Sequence, residues 1–267
     1  MLPNMKTDDV GAEPIWFHSI DLGGGLVTPG VKSADILRQE LQSLQLPEVR
    51  GRSILDIGAW DGYFSFALER AGAGRVVALD EFAWAMDLPA HEAYNLECQR
   101  NGIKPLPPDQ VASVWHPESL PGRAGFDRAS AALGSRVQPL VGDFMSMDLV
   151  PLGRFDVVLF LGVLYHLKDP FLALRRLQQV TAGLAVIETV CVVVPGREHH
   201  QLWEFLEKDE LNRDASNWWA PNAAGLAGAC RAAGFSRVEV KASPGPDDKP
   251  GPGYEWHYGR AVVHAWR

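Results

Sequence analysis

The sequence predicts an α/β fold in which a mostly parallel, doubly wound sheet carries helices on both faces. Three observations lead to this prediction. A strand, a glycine turn and a helix follow one another within residues 53–72. Further apolar runs then alternate with helical patterns, the order that produces a parallel sheet with crossover helices. Acidic residues and glycines directly follow several predicted strands, and open α/β sheets bind their ligands at that edge.

The first strand and its turn are the best defined of these elements. The apolar run Ser53–Ile57 is typical of a buried strand, and the Asp61-Gly62 pair after it indicates a sharp turn. Apolar residues recur at helical spacing beyond the turn. Gly58 stands at the end of the strand, where a residue without a side chain lets a ligand approach the backbone.

Acidic residues flank this turn. A phosphate-binding dinucleotide turn has further glycines here, whereas this chain has Asp56 and Asp61. Two carboxylates repel a pyrophosphate and suit a ligand that carries positive charge and hydroxyl groups. The alternative at this point is an ordinary tight strand–helix turn.

The remaining elements continue the alternation. Asp169 is expected as the N-cap of a helix that starts at Pro170. Strands are predicted at residues 75–80, 136–141, 155–161, 184–194, 238–241 and 259–266, and further helices at residues 33–46, 90–101, 124–133 and 222–233.

Two predicted strand ends carry residues suited to a nucleoside. Asp80 follows Gly58 by about twenty residues, the distance at which a carboxylate can accept both ribose hydroxyls. Asp143 and Phe144 follow the third strand, where an acid can bond an adenine amino group and an aromatic ring can cover the base. The alternative for Asp80 is a carboxylate in a surface loop.

Composition sets the limits of the function. The net charge of −8 gives no electrostatic footprint for nucleic acid, although a local basic patch stays open. Three widely spaced cysteines form neither a zinc motif nor a disulfide framework. The first residues contain no apolar signal core, and no apolar run has the length of a membrane span. We therefore expect a soluble cytoplasmic protein without a membrane partner.

Two motifs carry a family resemblance. The D-x-G-x-x-x-G pattern of residues 56–62 resembles motif I of the class I S-adenosylmethionine (SAM) methyltransferases. The segments Trp60–Phe66 and Gly162–His166 resemble the branch that contains the tRNA wobble-uridine carboxymethyltransferases, whose cofactor is carboxy-SAM, and their small methyltransferase relatives. The resemblance covers about residue 15 to the C-terminus outside 83–123. Three further stretches fit the small relatives: residues 16–30, 210–222 and 259–262.

The resemblance implies a Rossmann-like class I methyltransferase fold with a seven-stranded, mostly parallel sheet. It implies SAM as the cofactor and S-adenosylhomocysteine (SAH) as its product. Residues 1–50 would form an arm and helix that cover the site, and residues 51–267 a SAM-binding domain with insertions at 83–123 and 195–222. The resemblance places these residues around the cofactor: Lys32, Gly58, Asp80, Glu81, Phe82, Asp143, Leu161, Tyr165 and Arg260.

One departure from that branch bears on the cofactor. The RNA-modifying enzymes carry a basic Trp-Arg-Lys segment whose lysine helps to hold the cofactor carboxylate. This chain has Trp16, Phe17 and His18 in the comparable region. The departure favours ordinary SAM over carboxy-SAM.

The expected reaction is transfer of a methyl group to an oxygen of a small organic acceptor. His166 is the first candidate for a general base and His18 the second, because the unperturbed pKa of histidine suits proton removal. A structural histidine at a strand end is the alternative for His166. A tRNA-modifying enzyme and a non-catalytic SAM-binding protein are the alternative functions. No metal is expected, since the adjacent pair His199 and His200 is interpreted as solvated loop.

Tryptophans mark the acceptor side. Residues 15–32, 83–123 and 199–222 flank the strand ends and follow no regular core period. We expect these segments to cover an apolar acceptor pocket, and the alternative is that their rings fill the core. The tryptophans concerned are Trp16, Trp84, Trp115, Trp203, Trp218 and Trp219. The sequence names neither the acceptor nor the oligomeric state.

Overall fold

A seven-stranded sheet forms the centre of the computed structural model, which describes residues 14–207, 210–211, 214, 216–244 and 256–267. The strands are β1 Ser53–Ile57, β2 Arg75–Asp80, β3 Gln138–Val141, β4 Phe155–Leu161, β5 Thr181–Val193, β6 Trp203–Phe205, β7 Trp219–Pro221, β8 Arg237–Ala242 and β9 His257–Trp266. The helices are α1 Ala34–Ser43, α2 Tyr63–Arg70, α3 Phe82–Ala85, α4 Leu88–Asn101, α5 Ala124–Leu133, α6 Pro170–Val180 and α7 Ala223–Ala232.

The strand order is β3-β2-β1-β4-β5-β9-β8. Strands β3 to β5 in this order pair in parallel, whereas β9 is antiparallel to both β5 and β8. Buried side chains form two large clusters that include residues of the central strands and of helices packed on them. The predicted mostly parallel, seven-stranded sheet is confirmed.

An observed element boundary differs from the predicted one where a helix passes directly into a strand. Strand β5 was predicted to begin at residue 184 and begins at Thr181, because α6 ends at Val180 without an intervening loop. The Thr181 hydroxyl donates to the Leu177 carbonyl (2.7 Å) and so satisfies one of the last carbonyls of the helix. At the start of the chain, the helix predicted over 33–46 spans Ala34–Ser43, with Ser33 as its N-cap.

Strands β5 and β9 extend beyond the end of β4. The pairing of β4 with β5 stops at Leu161 and Glu188, whereas β5 and β9 remain paired as far as Val193 and His257. The ribbon β6–β7, which the sequence did not predict, packs on this extension. Their shared core consists of Val190, Val192, Leu206, Leu211 and Ala220. The extension and the ribbon therefore form a wall beside the carboxyl ends of the central strands.

The segment 83–123 is closed at its base. Met86 and Trp115 form an antiparallel bridge, and the flanking hydrogen bonds run from Asp87 N to the Val114 carbonyl (2.8 Å) and from His116 N to the Ala85 carbonyl (2.7 Å). The predicted helix over 90–101 is present as α4, which starts two residues earlier. Residues 88–113, which include α4, therefore leave and rejoin the rest of the fold at one paired base.

Only some of the six tryptophans are placed as the predicted cover over the acceptor pocket requires. Trp16 and Trp84 are buried in the core beside the first strand, as the alternative interpretation held. The other four rings are half-buried. Asn212, in the 210–222 stretch of the resemblance, lies outside the described residues.

Two further features concern the cysteines and the expected absence of a membrane span. Cys98, Cys191 and Cys230 are all buried with free thiols. Within the described residues, no helix has the length and apolar composition needed to cross a membrane.

Candidate active site

The turn after β1 requires its two glycines. Gly58 has φ 77°, and a Cβ there would come within 2.5 Å of the Val163 methyl carbon Cγ2. Gly62 has φ 86°, and its Cβ would lie 2.6 Å from the Phe66 ring and 2.7 Å from the Phe126 ring. Only glycine combines this backbone conformation with these close approaches. Gly58 thus faces Val163, which follows β4, across the edge of the sheet.

Asp80 joins the loops after β1 and β2. Its carboxylate is buried, with Oδ2 accepting from Trp60 N and Oδ1 from Ala83 N, both at 2.9 Å. Burial raises the pKa of Asp80 to about 6 despite these hydrogen bonds. The carboxylate retains further lone pairs for a ligand's hydroxyl groups.

Asp56 and Asp61, the two acids predicted to contact the cofactor, are both engaged within the protein. Asp56 is buried, accepts from the Ser65 hydroxyl at 2.6 Å, and has its pKa raised to about 6 by burial. Asp61 accepts backbone N–H groups from Phe17 (3.0 Å) and His18 (2.8 Å). These two carboxylates stabilise the turn and fasten the N-terminal arm to it.

His18 also takes part in this attachment. The ring is buried, its Nδ1 contacts Asp61 Oδ1, and its centroid lies 5.7 Å from that of Tyr63. These contacts give His18 a structural role in the attachment of the arm.

Replacing Asp61 with alanine is expected to lower the free energy of unfolding by about 3–5 kcal/mol, because two backbone donors and the His18 ring lose a buried acceptor. Urea unfolding measures the change. Asp21→Ala is the matched control, since the exposed Asp21 carboxylate accepts one N–H, from Gly23. An equal loss in both variants would contradict the attachment.

Aromatic and cationic side chains line the arm next to the turn. The rings of Phe17 and Trp60 stack 4.3 Å apart, and Lys32 Nζ lies 5.2 Å above Phe17. Lys32 also pairs with Glu40 of α1 at 2.8 Å, so the predicted cofactor lysine already has an anionic partner. The Trp60 indole N–H is buried without a hydrogen-bond partner. This donor was not among the predicted site residues, although a tryptophan inside a glycine turn was its visible signal.

A second group of residues meets after β4. Gly162 has φ 71°, and a Cβ there would lie 3.6 Å from Arg260 Nη2 and 4.0 Å from the Tyr165 hydroxyl. The Arg260 guanidinium lies 5.0 Å above the Tyr165 ring and forms a two-point ion pair with Glu188. Desolvation lowers the pKa of Arg260, but the pairing with Glu188 outweighs it and raises the pKa above its usual value. Glu188 is a further residue that the sequence analysis missed.

The edge near β2 and β3 brings together only some of the predicted residues. Burial and the nearby Asp143 charge raise the pKa of Glu81. Phe82 is half-exposed, with its ring 5.3 Å from that of Trp115. Leu161 is partly buried at the end of β4.

Phe144 does not meet the expectation that it covers a base. Its side chain is 6% exposed, and its ring packs 5.7 Å from that of Phe160 in the core. The apolar ring is more stable in that cluster than at the sheet edge, because burial removes it from water. Phe144 therefore supports the loop from beneath.

His166 lies in the helical turn that follows β4. Its Nδ1 is 3.2 Å from the Ser216 carbonyl and 3.0 Å from the Ser216 hydroxyl. Burial lowers the pKa of His166, so the imidazole is neutral at neutral pH. Ser216 is fifty residues away in sequence, and no local pattern connects the two.

Among the described residues, no cluster of three or more histidine, cysteine or acidic side chains could hold a metal ion.

Comparison with known proteins assigns the chain to a family. A family model described as a methyltransferase domain matches residues 33–240. The chain belongs to this methyltransferase family. A tRNA U34 carboxymethyltransferase of Pseudomonas savastanoi pv. phaseolicola is 29% identical over 194 residues, which are 72% of this chain and 47% of the relative. One from Pseudoalteromonas translucida is 29% identical over 195 residues with the same coverage. The methyltransferase thus spans about half the length of these curated relatives.

Solved structures share the fold of the methyltransferase. The N-terminal domain of EvdMO1, crystallised in the presence of SAH and D-fucose, matches with a TM-score of 0.57 and 18% identity, covering 94% of this chain and 91% of that one. An S-adenosylmethionine dependent methyltransferase from Mesorhizobium loti matches with a TM-score of 0.51 and 18% identity, covering 86% of this chain and 96% of that one. The expected class I fold is confirmed, and residues 33–240 form a methyltransferase domain.

Proposed function

We propose that this methyltransferase methylates a hydroxyl group of a small organic acceptor, with His166 as the general base. The position of His166 carries the proposal. The residue is neutral, its Nδ1 is held by Ser216, and its ring centroid is 4.0 Å from that of Tyr165 beside Gly162 and Arg260. The net charge of −8 supports a small acceptor over a nucleic acid.

The residues at the strand ends fit SAM, which supplies an activated methyl group on a positively charged sulfur. Asp80 would accept the ribose hydroxyls, and Asp143 would accept from the adenine amino group. Gly162 leaves room for close approach of the ligand to the backbone, whereas the space beside Gly58 is taken by Val163. The unpartnered Trp60 indole N–H fits a carboxylate acceptor.

His166 would take the proton of the acceptor hydroxyl as the oxygen is methylated. A neutral imidazole beside the acceptor provides the lone pair for this transfer, and positioned general bases typically contribute 10²–10⁴-fold to the rate. Tyr165, stacked under Arg260, would shape the pocket next to the base.

The arm and the two insertions would exclude water from the site, as methyl transfer requires. Lys104 of the first insertion donates to the Glu207 carbonyl of the second at 3.1 Å. His91 of α4 lies close enough to Asp214 for that charge to act on its pKa. These two contacts support a joint cover over the carboxyl edge of the sheet.

Asp80→Ala is expected to weaken SAM binding by about 10–100-fold from a micromolar dissociation constant, because a hydrogen bond to a charged group contributes about 1.5–3 kcal/mol. Since burial raises the pKa of Asp80 to about 6, its carboxylate becomes protonated below that pH. The affinity of the wild type should therefore fall as the pH drops through about 6. Titration calorimetry measures both effects.

Asp148→Ala is the control for this experiment. Asp148 is an exposed aspartate that also follows β3, and it accepts one backbone N–H, from Val150. Its removal should leave SAM affinity unchanged. Unchanged affinity in Asp80→Ala would remove Asp80 from the cofactor site.

Ordinary SAM is expected to bind more tightly than carboxy-SAM. The cations that could take an extra carboxylate are already paired, Arg260 with Glu188 and Lys32 with Glu40. A further anion would enter a locally neutral region and gain little attraction. Competition between the two cofactors, monitored by native mass spectrometry, measures the preference. A preference for carboxy-SAM would show that Arg260 serves an anion despite its pairing.

Methylation of tRNA wobble uridine is the second candidate, because the curated relatives carry that name. The two candidates are separated by incubating the protein with methyl-labelled SAM and either hydroxyl-bearing small molecules or unmodified tRNA. The proposal expects label in a methyl ether and release of SAH. Label transferred to tRNA instead would overturn it.

A further inference from the structure

A carboxylate and a hydroxyl lie behind His166, on the side of its Nδ1 atom. Asp214 Oδ1 accepts two hydrogen bonds from Ser216, one from the backbone N–H (2.9 Å) and one from the hydroxyl (2.6 Å). A carboxylate can only accept, so the hydroxyl proton points to Asp214. The lone pairs of the Ser216 hydroxyl remain for another donor.

The contacts of His166 define its tautomer. Nδ1 lies 3.0 Å from the Ser216 hydroxyl oxygen and 3.2 Å from the Ser216 carbonyl oxygen. The carbonyl can only accept, and the hydroxyl has already given its proton to Asp214. Both contacts therefore require a proton on Nδ1, and a neutral imidazole then has its lone pair on Nε2. In the described part of the chain, Nε2 forms no hydrogen bond.

We propose that Ser216 and Asp214 are positioning residues that hold His166 as the Nδ1–H tautomer and stabilise its protonated form. The proposal rests on the proposed function in one respect, that Nε2 is the atom that receives the proton. When the acceptor hydroxyl gives its proton to Nε2, Nδ1 keeps its own proton and the ring becomes an imidazolium. The positive charge is then linked through Ser216 to the Asp214 carboxylate.

Of the charged groups that act on His166, Asp214 is the anion that favours its protonated form. Arg260 lies near the ring and opposes protonation, but it is itself paired with Glu188. Tyr165, on the same turn, is neutral because burial raises its pKa further above 10. The charge of Asp214 acts in the opposite direction to Arg260 and raises the pKa of His166. His91 of α4 faces the same carboxylate from the first insertion.

The tautomer can be measured without any acceptor. In protein labelled with ¹⁵N-histidine, the His166 ring signals are assigned by their loss in His166→Gln. We expect the wild type to show a protonated Nδ1 and an unprotonated Nε2. Ser216→Ala leaves only the backbone carbonyl to accept from Nδ1, so the fraction of the Nδ1–H tautomer and the ring pKa should both fall. Ser216→Thr, which keeps the hydroxyl, should retain both. Asp214→Asn should retain the tautomer and lower the pKa.

Two results would overturn the proposal: a protonated Nε2 in the wild type, or an unchanged tautomer and pKa in Ser216→Ala, which would assign the ring to the backbone carbonyl alone. Ser146→Ala, at an exposed serine, is the control that should leave the spectrum unchanged. In the methyl-transfer assay, Ser216→Ala should lower kcat about tenfold or more with unchanged SAM affinity. If the spectra agree but no hydroxyl is methylated, the proposed function fails and the positioning by Ser216 and Asp214 stands.

Discussion

His166→Ala is expected to lower kcat for methyl transfer by about 10²–10⁴-fold while leaving the affinity for SAM unchanged, the loss typical of a missing general base. The physical reason is that no other neutral base occupies the turn after β4, within the part of the chain that the structure describes. Initial rates of SAH release, together with calorimetric titration of SAM, separate the two effects.

The role of His166 as base also predicts the direction in which kcat changes with pH. Burial lowers the pKa of His166 below its usual value of 6.5, so the base is unprotonated at neutral pH. The kcat of the wild type should therefore stay high at neutral pH and fall at acidic pH, where the ring becomes protonated. That acidic limb should disappear in His166→Ala. His199→Ala is the matched control, since His199 is exposed in the loop after β5.

Excision of residues 88–113 is expected to reduce turnover by at least about 10²-fold while SAM still binds, because a loosened cover misplaces the acceptor and admits water. The design uses the paired base of the insertion: Asp87 N donates to the Val114 carbonyl, and Met86 bridges Trp115. A two-residue Asn-Gly turn is the connection that suits such an antiparallel pair. SAM titration and SAH release are measured on the same sample.

Lys104→Ala is the milder control for the excision. It removes only the contact between Lys104 and the Glu207 carbonyl, so a small fall in turnover is expected. Loss of the folded state in the excised variant would assign residues 88–113 to the core. Undiminished turnover would contradict the cover.

The sheet and the glycine turns were predictable because they follow from local patterns. A buried apolar strand such as β4 and a helix with an N-cap such as Asp169 are both defined within a few neighbouring residues. Gly58 was predictable for the same reason, since its backbone conformation is a local property.

The orientation of side chains at the sheet edge was harder to predict. Asp56, Asp61 and Asp80 stand at or just after strand ends, yet only Asp80 both bridges the loops after β1 and β2 and retains lone pairs for a ligand. The other two acids bond Ser65 and the arm, and these partners depend on how α2 and the arm pack. Spacing alone does not determine which face a side chain takes.

Long-range contacts explain the remaining omissions. The ribbon β6–β7 pairs Trp203 with Pro221, and His166 meets Ser216 across an even longer stretch of chain. Strands of three residues give no detectable alternation. Such contacts become visible only once the sheet has fixed the positions of both partners.

The extension of β5 and β9 past β4 divides the sheet edge into two parts that differ in how much sequence change they tolerate. The half built on β1 to β4 has its shape determined by glycines that no other residue replaces, so it tolerates little change. The extended half carries the short ribbon β6–β7, whose connections can vary in length without disturbing the parallel strands. We therefore expect differences in acceptor among proteins of this architecture to fall on the extension and the cover, while the glycine turns of the parallel strands stay the same.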